Sequence, residues 1–67
     1  MSVASVTEIT SSSGESFDDA LKTGIERANK TLKNVKGAWI QEQKVVVDDG
    51  EIVEYRVNMK ISFVLEN

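Results

Sequence analysis

The stretch "EIVEYRVNMKISFVL", residues 51–65, alternates with a period of two. Val53, Tyr55, Val57, Met59, Ile61, Phe63 and Leu65 fall on one side. Glu54, Arg56, Asn58, Lys60 and Ser62 fall on the other. Successive side chains of a strand point to opposite faces, so this pattern predicts a strand with one core face and one polar face. It is far longer than the usual strand of about 5–6 residues and must therefore twist strongly.

The neighbouring segments are read outward from that strand. "DDG" at 48–50 is a tight-turn signal of the kind that closes a hairpin. Residues 35–47 are then a second strand, antiparallel to the first. Period two places Ala38, Ile40 and Val46 toward the core and Gly37, Trp39, Gln41 and Gln43 away from it. This assignment holds only if no bulge shifts the alternation. Glu42 acquires the opposite parity to Trp39. Residues 17–33 carry apolar side chains at helical spacing: Phe17, Ala20, Leu21, Ile25, Ala28 and Leu32. Ser16 is suited to the N-cap, and Asp18 and Asp19 suit the positive end of the helix dipole. Gly24 weakens the helix, and close approach of a strand is one reason to keep it. Residues 3–9, "VASVTEI", are rich in β-branched types and read as a short strand, with the loop "TSSSGES" after it.

The expected fold is α+β: a single domain, residues 1–67, in the order β-α-β-β, with a three-stranded antiparallel sheet wrapped around one helix. A chain of 67 residues buries only about 60% of its unfolded surface, so its core is small. The sequence has no Cys and no His, which removes disulfides and the common zinc sites as supports. Oligomerisation is then the expected support, and the polar face of so long a hairpin suits subunit packing; a stable monomer is the alternative, since many domains of about this size fold alone.

Charge and composition limit the partners. The net charge is -3, from 8 basic and 11 acidic residues without a basic block, so nucleic acid is not expected. No apolar run approaches the ~20 residues of a membrane span. "MSVASVTEIT" lacks the form of a signal peptide, and a cytoplasmic location is expected. No nucleophile–base constellation is visible, so the chain is not expected to be an enzyme. The acidic run Asp48, Asp49, Gly50, Glu51 resembles a fragment of a calcium loop but lacks the spacing of an EF-hand, and is read as the turn. No metal-ligating residues are assigned.

Two long blocks carry a family resemblance. "SSSGESFDDALKTGIERANKTLKNV" and "VEYRVNMKISFVLE", in this order and in a chain of this length, resemble the dodecins, over about residues 3–66. The resemblance implies a hollow homododecamer that stores flavin, FMN or riboflavin, between subunits, with paired isoalloxazine rings sandwiched between tryptophans. It places the family's stacking tryptophan at Gly37, its ring-binding glutamine at Arg56, and a carboxylate that contacts the flavin side chain at Glu42. A subgroup that lacks this tryptophan is associated with calcium.

The cofactor-binding candidates are accordingly Gly37, Trp39, Gln41, Glu42, Arg56 and Asn58. Trp39 is either an interface residue or a stacking platform, two positions along the strand from Gly37 and thus roughly 6.6 Å away. Arg56 either pairs with Glu54 or Glu42, or meets a ring or a phosphate. Gln41, Glu42, Gln43 and Asn58 are a polar surface, or hydrogen-bond partners for a polyol or imide edge. The expected role is a flavin-binding storage protein. The alternative is a cage of the same fold with a structural, ion-binding or other small-ligand role.

Overall fold

The computed structural model describes residues 3–65; the ends of the expected domain, residues 1–2 and 66–67, lie outside the described residues. Four elements succeed one another: β1 (Val3–Ser13), α1 (Phe17–Thr31), β2 (Val35–Asp48) and β3 (Glu51–Leu65). The sheet order is β1-β3-β2, antiparallel throughout. The alternating strand is therefore central.

Three boundaries differ from expectation. β1 continues to Ser13, four residues past the expected end, because "TSSS" pairs with Asn58, Val57, Arg56 and Tyr55 of β3. Strong β-propensity of Thr and a ready-made partner strand override the turn-forming character of serine. α1 stops at Thr31 rather than at residue 33. Leu32 is already extended, its N–H bonding Ala28 O at 2.8 Å, and Asn34 takes a left-handed φ of 60° that turns the chain into β2. β2 gains one residue, Asp48, before the turn at Asp49 and Gly50, both with positive φ as a type I′ hairpin demands.

The N-terminus of α1 is built by serines. Ser16 Oγ accepts from Asp19 N at 2.9 Å. The buried Ser13 donates from Oγ to Asp19 Oδ2 at 2.7 Å and accepts from Glu15 N at 2.9 Å. End of strand and start of helix are thus tied together by one hydroxyl.

The core is the middle of β3 against α1: Val57, Met59 and Ile61 are fully buried under Ala20 and Ala28. The buried stripe of the helix is Ala20, Gly24 and Ala28, which lets it lie close to the sheet. A Cβ on Gly24 would come within 2.6 Å of Met59 Cε and 3.1 Å of Ser11 Cβ, so the glycine marks a close approach. Phe17 meets Tyr55 edge to face, with ring centroids 5.2 Å apart.

Lengths decide what stays uncovered. Fifteen helical residues span about 22 Å, whereas fifteen strand residues span about 50 Å. The long axis of the molecule is 51 Å. α1 packs mainly on β1 and β3 and touches β2 little. Ile40 consequently lies on the helix side of the sheet, opposite the buried Met59, yet remains exposed, as does Ala38. Val53 and Leu65 share the apolar face of β3 by parity but project past the helix and are also exposed.

Candidate functional site on the outer face of the sheet

The site is decided by the irregularities of β2. Its register with β3 shifts between Val35 and Gly37, between Ile40 and Glu42, and between Val46 and Val47. At the second shift Gln41 is the extra residue: Ile40 opposes Met59 and Glu42 opposes Asn58. A bulge of this kind adds one residue and reverses the parity of the positions beyond it. Directly opposed residues share a face, so Gly37, Trp39, Glu42 and Lys44 lie on one side with Ser62, Lys60, Asn58 and Arg56. This is the outer face, away from α1.

The bulge corrects three placements. Gln43 opposes the buried Val57 and belongs to the helix side. Val46 opposes Glu54 on the outer face, and Val45, opposite Tyr55, takes the inward place expected for Val46. Gln41 sits at the bulge itself and is exposed. Glu42 joins Trp39 on one face, so their expected opposition disappears.

With β1 included, three adjacent rows of the outer face run across the strands beside the Gly37–Ser62–Val6 row. They are Trp39–Lys60–Glu8, Glu42–Asn58–Thr10 and Lys44–Arg56–Ser12. Trp39 is 49% exposed, so its indole is a surface and not part of the core. Gly37 lies beyond it opposite Ser62, whose Oγ donates to Gly37 O at 3.3 Å. That hydroxyl would be 3.2 Å from a Cβ at Gly37, a tight contact that a shift of a few tenths of an ångström relieves.

Asn58 is the polar centre. Its Nδ2 donates to Thr10 Oγ1 at 3.1 Å, while its buried Oδ1 has no partner. A buried acceptor without a donor is costly, on the order of 1–3 kcal/mol. Lys44 and Arg56 oppose each other as like charges, an unfavourable pair in a sheet. Glu54 offsets this, accepting from Arg56 Nε at 2.7 Å. That hydrogen bond, aided by the positive charge of Arg56 and by a hydrogen bond from Ser12, holds the Glu54 carboxyl below its ordinary value. The ion pair expected for Arg56 is thus made with Glu54, along the strand.

A recess of about 160 Å³ opens here, lined by Thr10, Glu42, Lys44, Arg56 and Asn58, with Gln43 completing the lining. Ligand pockets run to about 300–1,000 Å³. The recess by itself is smaller than that range. Sequence alone does not single out Thr10, Lys44 or Lys60. Thr10 falls in the expected loop, and the lysines read as ordinary surface charge. Among the described residues no group of three or more His, Cys, Asp or Glu could hold a metal ion, and no helix is long and apolar enough to cross a membrane.

Sequence and fold fit one known group. The Dodecin family model matches residues 3–66, nearly the whole chain. The calcium dodecin of Mycobacterium tuberculosis (strain ATCC 25618 / H37Rv) is 30% identical over 63 residues, covering 94% of this chain and 89% of that one. The structure of dodecin from Streptomyces davaonensis superposes with a TM-score of 0.94 at 35% identity, covering 98% and 97% of the two chains. The crystal structure of the M. tuberculosis calcium dodecin, described as calcium-chelating with a novel calcium-binding site, gives a TM-score of 0.83 at 29% identity, covering 96% and 91%. This chain belongs to the dodecin family.

Proposed function

We propose that this protein is a flavin-storing dodecin: a hollow homododecamer, working in the cytoplasm without turnover, that holds FMN or riboflavin between the outer faces of neighbouring subunits. The observation that carries the reading is the outer face itself, where Trp39, Arg56 and the unpartnered amide oxygen of Asn58 lie together and the Gln41 bulge adds the Glu42 carboxylate.

The residues present fit such a group. A bound flavin supplies a flat, photoexcitable ring with an imide edge. Trp39 offers the stacking plane in place of the residue expected at Gly37. Asn58 Oδ1 is an acceptor that an imide N–H satisfies, and Arg56 is a donor for a carbonyl or phosphate oxygen. Glu42, an acceptor when ionised, suits the hydroxyls of a polyol. An indole stacked on the ring is an electron donor at contact distance and quenches its emission. The recess is smaller than a flavin, which supports a reading in which two subunits contribute to the site.

Titrating riboflavin, and separately FMN, into the ligand-free protein tests this. Flavin emission falls to a stoichiometric endpoint in the wild type and persists in Trp39→Ala. Undiminished emission at micromolar wild-type protein overturns the flavin reading.

A second reading has its own support in the 30% identity to a calcium dodecin. In it the shell binds calcium and no flavin. It predicts a calcium-dependent rise in thermal stability that a chelator reverses, and a melting temperature indifferent to both removes it.

A further inference from the structure

We propose that Lys44 and Arg56 form an anion subsite, and that Glu54 is the positioning residue that aims Arg56 into it. The outer face then takes a phosphorylated flavin, FMN, in preference to riboflavin, an inference that rests on the flavin reading above and narrows its ligand.

Two cations face each other here where a sheet ordinarily avoids it. Lys44 and Arg56 are directly opposed, and both line the recess. One carboxylate, Glu54, stands against the two of them, and among the described residues Lys44 makes no ion pair. An anion seated between the two side chains turns their repulsion into attraction and receives charge-assisted hydrogen bonds from both.

Glu54 decides where the guanidinium points. It lies outside the recess, opposite Val46. Its Oε1 accepts from Arg56 Nε at 2.7 Å, and a hydrogen bond from Ser12 steadies the carboxylate in turn. Held by Nε, Arg56 keeps both Nη groups for a ligand, and that planar fork matches a pair of phosphate oxygens. The Arg56 and Glu54 side chains are 42% and 32% exposed, where an ion pair adds little to stability. The main consequence of the pair is orientation.

The order of the rows gives the anion its place in the ligand. Along the face come Trp39–Lys60, then Glu42–Asn58, then Lys44–Arg56. Beyond Trp39 the surface turns small and apolar, with Gly37 and the half-exposed Val6 on either side of Ser62. That end suits a flat ring, and the middle row offers Glu42 to hydroxyls. FMN carries its ring, its ribityl hydroxyls and its phosphate in this same order. From Lys60 to Arg56 is about 13 Å along β3, so a ring stacked on Trp39 sends its side chain across Glu42 toward the two cations. Riboflavin ends there in a neutral hydroxyl and leaves the cations facing each other.

Parallel quenching titrations with FMN and riboflavin test this. The wild type binds FMN at least about tenfold more tightly, the size of one hydrogen bond to a charged group. Lys44→Met and Glu54→Ala each bring the ratio of the two affinities down toward one, and riboflavin quenching in the same variants reports that they fold. Glu54→Gln still offers an oxygen to Arg56 Nε and keeps most of the preference. The sign at Glu54 separates positioning from bulk charge, because removing a carboxylate near a phosphate strengthens FMN binding by electrostatics alone. Equal affinities in the wild type, FMN binding that tightens in Glu54→Ala, or a Glu54→Gln variant no better than Glu54→Ala overturns the proposal while the flavin reading stands. Emission of both flavins undiminished by the wild type overturns the flavin reading and the subsite with it.

Discussion

Replacing Gly24 by alanine sets two effects of opposite sign against each other. Alanine favours the helix interior by about 1 kcal/mol over glycine. Against it stands the close approach of α1 to the sheet: the new Cβ lies 2.6 Å from Met59 Cε and 3.1 Å from Ser11 Cβ. The methionine end is flexible, but Met59 is fully buried, and its movement displaces other core atoms. Ser11 Cβ is fixed to the β1 backbone, so the helix itself must lift by a few tenths of an ångström. Overpacking of this kind costs about 1–3 kcal/mol. The packing term therefore outweighs the helix term, with a net loss of about 1 kcal/mol, or about 4–8 °C in Tm for a domain of this size. Thermal melting by circular dichroism measures it, at one fixed protein concentration because assembly makes Tm concentration-dependent. Met59→Leu removes the terminal methyl from the contact, so in that background the alanine costs at least about 0.5 kcal/mol less. A Gly24→Ala protein that melts higher than the wild type refutes the close-packing argument.

Other predictions concern the cap, the outer face and acid stability. Ser16→Ala costs about 1 kcal/mol and Ser16→Gly only a few tenths, measured by urea unfolding; equal losses contradict a capping role. Asn58→Val stabilises the ligand-free protein by about 1 kcal/mol while weakening flavin binding, because it removes a buried acceptor that no protein group satisfies. Unchanged flavin affinity in that variant removes Asn58 from the site. The Glu54 carboxyl is held below its ordinary value of 4.5, so it contributes stability that is complete above that pH and is lost as pH falls through its folded-state value. Glu54→Gln therefore flattens the acid side of the Tm-versus-pH curve, and an unaltered curve contradicts the pairing with Arg56.

Much of the architecture can be read from residues 51–65, because period two in a central strand is a pattern that no helix shares. The helix was legible for the same kind of reason, through Ala20, Ile25, Ala28 and Leu32. The strand "TSSS" was not, because serine's preference for turns is a local property and its pairing with β3 is a long-range one. The face of Glu42 was hidden for a different reason. A bulge has no composition of its own, and nothing in "WIQEQK" marks Gln41 as the residue without a partner. Gly37, Trp39, Arg56 and Asn58 have the sides that parity assigned them; Glu42 and Gln43 do not, and both lie after the bulge at Gln41. The exposure of Ala38 and Ile40 was also invisible locally, since it depends on where the helix comes to rest.

The Gln41 bulge changes the phase of β2, with one phase running from Gly37 to Ile40 and another from Glu42 onward. Deleting Gln41 would rotate every later side chain by half a turn without altering any residue type, sending Glu42 and Lys44 inward and Gln43 outward. The chemistry of the outer face is thus written partly in residue count, and a single insertion or deletion in this strand changes it more than most substitutions could.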